Sequence, residues 1–219
     1  MVNKTRISLA ALAALVTCLI VPAAASAGDL DQQQTSQNGF RGIASSQSGA
    51  QEITAGRTGL LDQVDLDLQK SGNQPPLTVE LRDISGGAPG SQVLATATVQ
   101  TASVPTSAGF VPVTFPVPAP VTAGVQYAIV IYTSGSYLWA DKGPDAYTGG
   151  IESLASSSPP STPWLPQSNY DFAFKTYVAP PVATPALTGQ RAAALAKCKK
   201  KHTAKARKKC RKKAKKLPL

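Results

Sequence analysis

A single histidine, His202, among 219 residues narrows the chemistry of this chain at once. A serine or cysteine nucleophile needs a base beside it, and the one histidine sits in the basic C-terminal stretch, away from the rest of the chain. Cysteine is nearly as scarce. Of three, Cys18 lies in an N-terminal leader, which leaves Cys198 and Cys210. In an exported chain such a pair points to a disulfide rather than to free thiols or a metal site, since only His202 lies nearby. Beyond the first 27 residues no apolar run approaches the ~20 residues a membrane helix needs. No long helical pattern interrupts residues 50–178, and no repeat of fixed period is present. Aromatics make up only 6% of the chain, so where they fall carries information.

The leader has the order of a secretory signal peptide. Lys4 and Arg6 precede an apolar run over 7–21, then come Pro22 and small residues ending Ala25-Ser26-Ala27. Cleavage is expected after Ala27, so that the mature chain begins at Gly28 and is secreted or associated with the cell surface. The apolar run is short for a permanent anchor. Leu15-Val16-Thr17-Cys18 is a poor lipoprotein box, because Thr17 is bulky before the cysteine and the apolar run continues past it.

Charge divides the remainder. Six basic residues stand against all twelve acids between residues 28 and 190, whereas residues 191–219 hold fourteen Lys and Arg and no acid. The expected organisation is a leader at 1–27, a disordered Gln/Ser/Asn/Gly-rich lead-in at 28–49, a sandwich domain at 50–178, a proline-rich linker at 179–188 and a basic helical tail at 189–219. The lead-in has few apolar side chains with which to offset the entropy of ordering.

The period-2 signal of strands fills the middle. The run over 125–132, Val-Gln-Tyr-Ala-Ile-Val-Ile-Tyr, is fenced by Gly124 and Gly135 and reads as a buried central strand. Val64, Leu66 and Leu68 alternate with Gln63, Asp65 and Asp67, and Leu77, Val79 and Leu81 with Thr78, Glu80 and Arg82, as in strands with one wet face. Further short strands are expected over 51–54, 93–99, 110–117, 137–140 and 170–178. Pro112 and Pro116 remove ladder donors, which places the 110–117 strand at an edge or beside a bulge. About eight short strands without intervening helices define an all-β fold, a two-sheet antiparallel β-sandwich of jelly-roll-like type. A proline-rich linker and a short basic helical hairpin follow it.

Several motifs in this region carry a resemblance. They are Ile53-Thr54-Ala55-Gly56, Gly59-Leu60-Leu61, Gly87-Ala88-Pro89-Gly90 with Val93-Leu94-Ala95, the strand from Ala123 to Val130, Trp139, Tyr147-Thr148-Gly149-Gly150, and Asp171-Phe172-Ala173-Phe174. Together they resemble the secreted bacterial β-sandwich modules of the choice-of-anchor type, over residues 50–178. Such modules are similar in outline to carbohydrate-binding sandwiches, which implies the fold and a binding role but no particular ligand residue.

Enzymatic readings find little support. Asp65 and Asp67, about 7 Å apart by strand rise, suit glycosidase geometry only in a cleft, and their alternation with apolar neighbours reads as a solvated strand face. Asp141-Lys142-Gly143-Pro144-Asp145 offers too few oxygens for calcium and reads as a turn. No cofactor or metal is expected. The late aromatics are the candidate glycan contacts, with Tyr137, Tyr147 and Trp164 the chosen residues and Trp139 assigned to the core.

The tail is rich in helix formers. On one straight helix Cys198 and Cys210 would lie about 18 Å apart, beyond the ~7 Å limit for bridged α-carbons, so a disulfide requires the chain to turn back. His202-Thr203 is the expected corner, with Thr203 capping a second helix. The tail also resembles the Cys-plus-Lys/Arg ending of many unrelated exported proteins of Gram-positive soil bacteria, through Leu195-Ala196-Lys197-Cys198, Ala206-Arg207-Lys208-Lys209-Cys210 and Lys213-Ala214-Lys215-Lys216-Leu217-Pro218. That resemblance implies an address or anchor. Lys199, Lys200, Lys201, Arg207, Lys208, Lys209, Arg211, Lys212 and Lys213 are the candidate polyanion-binding residues, acting by counterion release on an anionic cell-wall polymer or membrane surface. No aromatic in the tail stacks on bases, so no specific nucleic-acid partner is expected. The functional expectation is an exported, non-enzymatic, monomeric surface binding or adhesion protein. A secreted carbohydrate-active hydrolase and a spacer without ligand are the alternatives.

Overall fold

The computed structural model describes residues 27–161, 163–181 and 189–217. The leader up to residue 26 and most of the proline-rich linker lie outside the described residues. Thirteen strands precede two helices: β1 (Asp29–Gln34), β2 (Gly39–Ala44), β3 (Ser48–Thr54), β4 (Gly59–Lys70), β5 (Leu77–Ser85), β6 (Ala88–Val99), β7 (Gly109–Val121), β8 (Gln126–Thr133), β9 (Ser136–Lys142), β10 (Glu152–Ala155), β11 (Leu165–Gln167), β12 (Asp171–Phe172), β13 (Phe174–Ala179), α1 (Gln190–Lys199) and α2 (Ala204–Ala214).

All strand pairs are antiparallel, and they form two sheets. One has six strands in the order β11-β10-β3-β8-β5-β6, and the run read as central is β8, between β3 and β5. Tyr127, Ile129 and Ile131 point from it into the main core, while Ala128 and Val130 on its other face join a smaller cluster with Ala50, Ala155 and Trp164. Both faces of β8 are therefore covered, which explains a continuous apolar run where a half-wet strand would alternate. The second sheet has seven strands in the order β1-β13-β4-β9-β12, with β7 along β4 and β2 along β9. The proline-bearing β7 pairs only with β4, at an edge, and its register breaks where Leu61 and Gln63 of β4 meet Ala119 and Thr114.

The core between the sheets is aromatic at one end. Trp139 stacks on Phe172 with ring centroids 3.9 Å apart. Its indole N–H donates to the Ala173 carbonyl at 2.9 Å. The Asp67 and Ala173 backbone N–H groups bond Ala173 O and Ala140 O respectively, so β4, β9, β12 and β13 converge on Ala173.

Two expectations are corrected. Residues 28–49 are not a disordered lead-in: they form β1, β2 and the start of β3, and the sandwich begins at Asp29. The backbone of β1 pairs with β13 and that of β2 with β9, a source of ordering that low apolar content does not reveal. Ile43 is fully buried, and the Gln34 amide donates to Ser36 O and Asp171 O. Asp65 and Asp67 lie on the outer face of β4 as expected, but they are buried rather than solvated. Tyr177 Oη and Gln63 Nε2 both donate to Asp65, at 2.8 Å, while Phe110 lies opposite Asp67 and carries Lys175 over its ring. Burial raises the Asp67 carboxyl above its ordinary range, against the lowering effect of the Gly109 N–H.

Candidate functional site

At the aromatic end of the sandwich, β2, β9 and the chain ahead of β12 frame a cleft of about 640 Å³ lined by Asn38, Phe40, Arg41, Asp141, Gly143, Pro144, Asn169 and Tyr170 among others. Strand alternation explains which groups face it. Arg41 pairs with Trp139 and Gly39 with Asp141, so the odd positions of β2 and β9 turn inward, while Phe40, opposite Ala140, turns outward. Phe40 and Tyr170 are 43% and 40% exposed, large aromatic surface left open at the rim. The Arg41 guanidinium lies 4.4 Å from the centroid of the Tyr170 ring and holds it in place. Asn38 Nδ2 donates to Gly143 O at 2.6 Å and Asn38 Oδ1 accepts from Gly143 N at 3.0 Å, fixing the turn that enters the cis Gly143–Pro144 peptide.

The floor is a buried polar cluster. Arg41 Nε donates to Glu152 Oε1 at 2.8 Å and lies 3.0 Å from Asp141 Oδ2. Glu152, opposite Gln51 on β3, is 0% exposed. Asp171 accepts from the Ala146 and Tyr147 N–H groups, both at 2.9 Å, and from Gln51 Nε2 at 3.1 Å. Gln51 Oε1 accepts from Phe172 N at 2.7 Å, which ties the two sheets together. Two carboxyls, Glu152 and Asp141, thus share one guanidinium, and Asp171 beside them relies on N–H donors alone. Burial pushes Glu152 up to about 7, overcoming the lowering effect of Arg41, with Asp141 and Asp171 adding to the rise. Asp141 is raised by burial against Arg41, and Asp171 by burial against its three N–H donors. Asp141 Oδ1 and Glu152 Oε2 are buried and accept no hydrogen bond, the arrangement a protonated carboxyl tolerates better than a carboxylate.

The cluster suits positioning better than acid–base catalysis. Glu152 lies behind Arg41 without exposure, and a general acid must reach the atom it protonates. What the cleft presents to a ligand is aromatic surface and amide groups above a rigid polar floor. Asp141 of the candidate calcium turn is committed to Arg41, and among the described residues no group of three or more His, Cys, Asp and Glu side chains is arranged to hold a metal.

The three aromatics expected to contact ligand are elsewhere. Tyr137 is 1% exposed, its hydroxyl donating to Pro75 O at 2.6 Å. Tyr147 is 9% exposed, packs edge-on against Phe174 and donates to Gln32 Oε1 at 3.1 Å. Trp164 is 7% exposed and covers the outer face of β8. None presents an open ring: the Tyr137 and Tyr147 hydroxyls find partners inside, strand parity sends Tyr137 to the same face as Trp139, and the Trp164 indole packs with Ala128 and Val130. Phe40 and Arg41 of β2, Glu152 of β10 and Tyr170 ahead of β12 come from three distant segments. The sequence marked two of them, Arg41 as one of six cations in residues 28–190 and Tyr170 as one of the late aromatics, without placing them together.

The second candidate site is the tail. Cys198 and Cys210 are bonded, with α-carbons 5.5 Å apart, and join α1 to α2. The chain turns between Lys200 and Thr203, and Thr203 Oγ1 accepts from Ala206 N at 3.2 Å as the cap of α2. Arg191 Nε donates to Leu217 O at 2.8 Å and closes the open end of the hairpin. Lys199, Lys200, Lys201, Arg207, Lys208, Lys209, Arg211, Lys212 and Lys213 are all exposed. Among the described residues the four ion pairs all lie in the sandwich, so none neutralises a tail cation. Ala204, Arg207, Lys208, Arg211, Lys212 and Lys215 line a shallow groove of about 500 Å³ along α2. Their three- and four-residue spacing sets successive charges on one helix face.

No protein-family model matches the chain, and no curated protein matches it.

Proposed function

We propose that this is an exported, non-catalytic β-sandwich protein that acts in cell-surface binding or adhesion, held by its basic hairpin on an anionic wall polymer or membrane surface. In this reading residues 50–178 belong to a module of choice-of-anchor type. The carrying observation is the cation display: a disulfide-stapled hairpin with thirteen exposed Lys and Arg residues and no acid of its own. Such a surface gains affinity by releasing counterions from a polyanion, which makes the binding steeply salt-dependent. The cleft beside Phe40 and Tyr170 supports a glycan as the sandwich's ligand, since open aromatic faces stack on the apolar faces of sugar rings. Fractionation of cells at low and high salt, with the full chain and with residues 191–219 deleted, tests the attachment. Retention at low salt, release at high salt and loss on deletion are expected. Retention that ignores both salt and the tail ends the anchor reading.

One observation favours the hydrolase reading, a carboxyl held near neutrality behind a cleft. Polysaccharide hydrolysis by the intact protein that disappears in Glu152→Gln would replace the binding role with an enzymatic one.

A further inference from the structure

The Gly28 nitrogen lies 3.0 Å from Asp62 Oδ2 and 3.2 Å from Asp62 Oδ1. Asp62 occupies a break in the sheet. Leu61 pairs with Val178 and Ala119, Gln63 pairs with Tyr177 and Thr114, and the residue between them has no partner on either neighbouring strand. A bulge of this kind re-aims a side chain. Here it turns a carboxylate toward the start of β1. None of the four ion pairs among the described residues uses that carboxylate. Gly28 is closely seated as well. A Cβ added there would collide with the Val178 and Ala179 backbone, so only glycine fits against the end of β13.

We propose that removal of the leader after Ala27 creates a latch: the new α-ammonium of Gly28 forms an ion pair with Asp62 that fastens β1 to the sandwich. The leader-removing protease uses water to hydrolyse the Ala27–Gly28 peptide bond. Hydroxyl goes to the Ala27 carbonyl carbon and hydrogen to the Gly28 nitrogen, and the acid so formed loses a proton while the amine gains one. Before cleavage this nitrogen is an amide with one N–H and no charge, facing two carboxylate oxygens. Afterwards it has three N–H groups and a positive charge, and it can serve both oxygens by charge-assisted bonds. β1 is an edge strand that pairs only with β13, so a tie at the residue just ahead of it matters to whether it stays docked. The latch is independent of what the tail or the cleft binds.

The sign of the pH dependence follows from the pairing. Asp62 favours the charged form of the amine, so the folded α-amino pKa lies above the ordinary range of about 7.7–8.0. The stabilisation is therefore present below that range and disappears as pH rises through the raised value.

The test uses the exported protein. Intact mass is expected to begin at Gly28. With Gly28 labelled by nitrogen-15, the α-amino group is expected to titrate above its ordinary range and to return to that range in Asp62→Asn. A chain retaining Ala27 at its start should melt below the Gly28-start chain at pH 7, and this difference should vanish in Asp62→Asn. A mature start at another residue, an ordinary α-amino pKa in the wild-type protein, or equal melting of the two starts at pH 7 would each overturn the proposal. The comparison of the two starts keeps Asp62 intact, so it stands even if Asp62→Asn fails to fold.

Discussion

The sandwich should lose stability as pH rises from 5 to 8, and Glu152 should be a principal cause. Its carboxyl is pushed from the ordinary 4.5 up to about 7 by burial, which outweighs the nearby Arg41 guanidinium. Below 4.5 the group is protonated in both folded and unfolded chains and contributes no pH dependence. Between 4.5 and 7 the unfolded chain releases the proton while the folded chain keeps it, and the folded state is progressively disfavoured. The full difference of about 2.5 units corresponds to roughly 3 kcal/mol at ~1.36 kcal/mol per unit. At about 2–4 °C per kcal/mol for a chain of this size, the melting midpoint should fall by roughly 6–12 °C on this account alone. Glu152→Gln keeps an oxygen for Arg41 Nε and cannot ionise, so it should remove most of that fall and melt above the wild type at pH 8. Glu52, raised to about 7 by burial on β3, acts in the same direction, as do Asp141 and Asp171. Glu52→Gln combined with Glu152→Gln should therefore flatten the profile further. Circular-dichroism melts at pH 5, 6.5 and 8 provide the measurement. A wild-type midpoint that does not change over this range, or a Glu152→Gln variant that falls as steeply as wild type, would refute the reasoning.

Three further outcomes test the framework around the sites. Trp139→Ala removes the buried ring stacked on Phe172 and should cost about 3–5 kcal/mol in chemical denaturation; a loss under 1 kcal/mol would show that the end of the core beneath the cleft is not packed as described. Cys198→Ser opens a 12-residue disulfide link worth about 3 kcal/mol, and amide exchange protection over α1 and α2 should collapse. Thr203→Ala, which removes one cap worth about 1 kcal/mol, should weaken that protection without abolishing it.

What the amino-acid sequence determined by itself was whatever depends on short-range pattern. Alternation located β4, β5 and β7, an unbroken apolar run between glycines located β8, paired prolines put β7 at an edge, and twelve-residue cysteine spacing with Thr203 between required a capped hairpin. Each follows from geometry within a few residues of the signal. The polar strands β1 and β2 were not legible, because their order comes from backbone pairing with β13 and β9, more than 90 residues away. The burial of the candidate aromatics was not legible for a related reason. Whether a tyrosine is core or platform depends on what covers it, and Tyr137, Tyr147 and Trp164 are covered by segments that local pattern cannot place. Only the tertiary structure brought Arg41, Asp141, Glu152 and Tyr170 to one end of the sandwich and set Gly28 against Asp62, since neither the meeting of four strand ends nor a bulge that frees one carboxylate has any period in the chain.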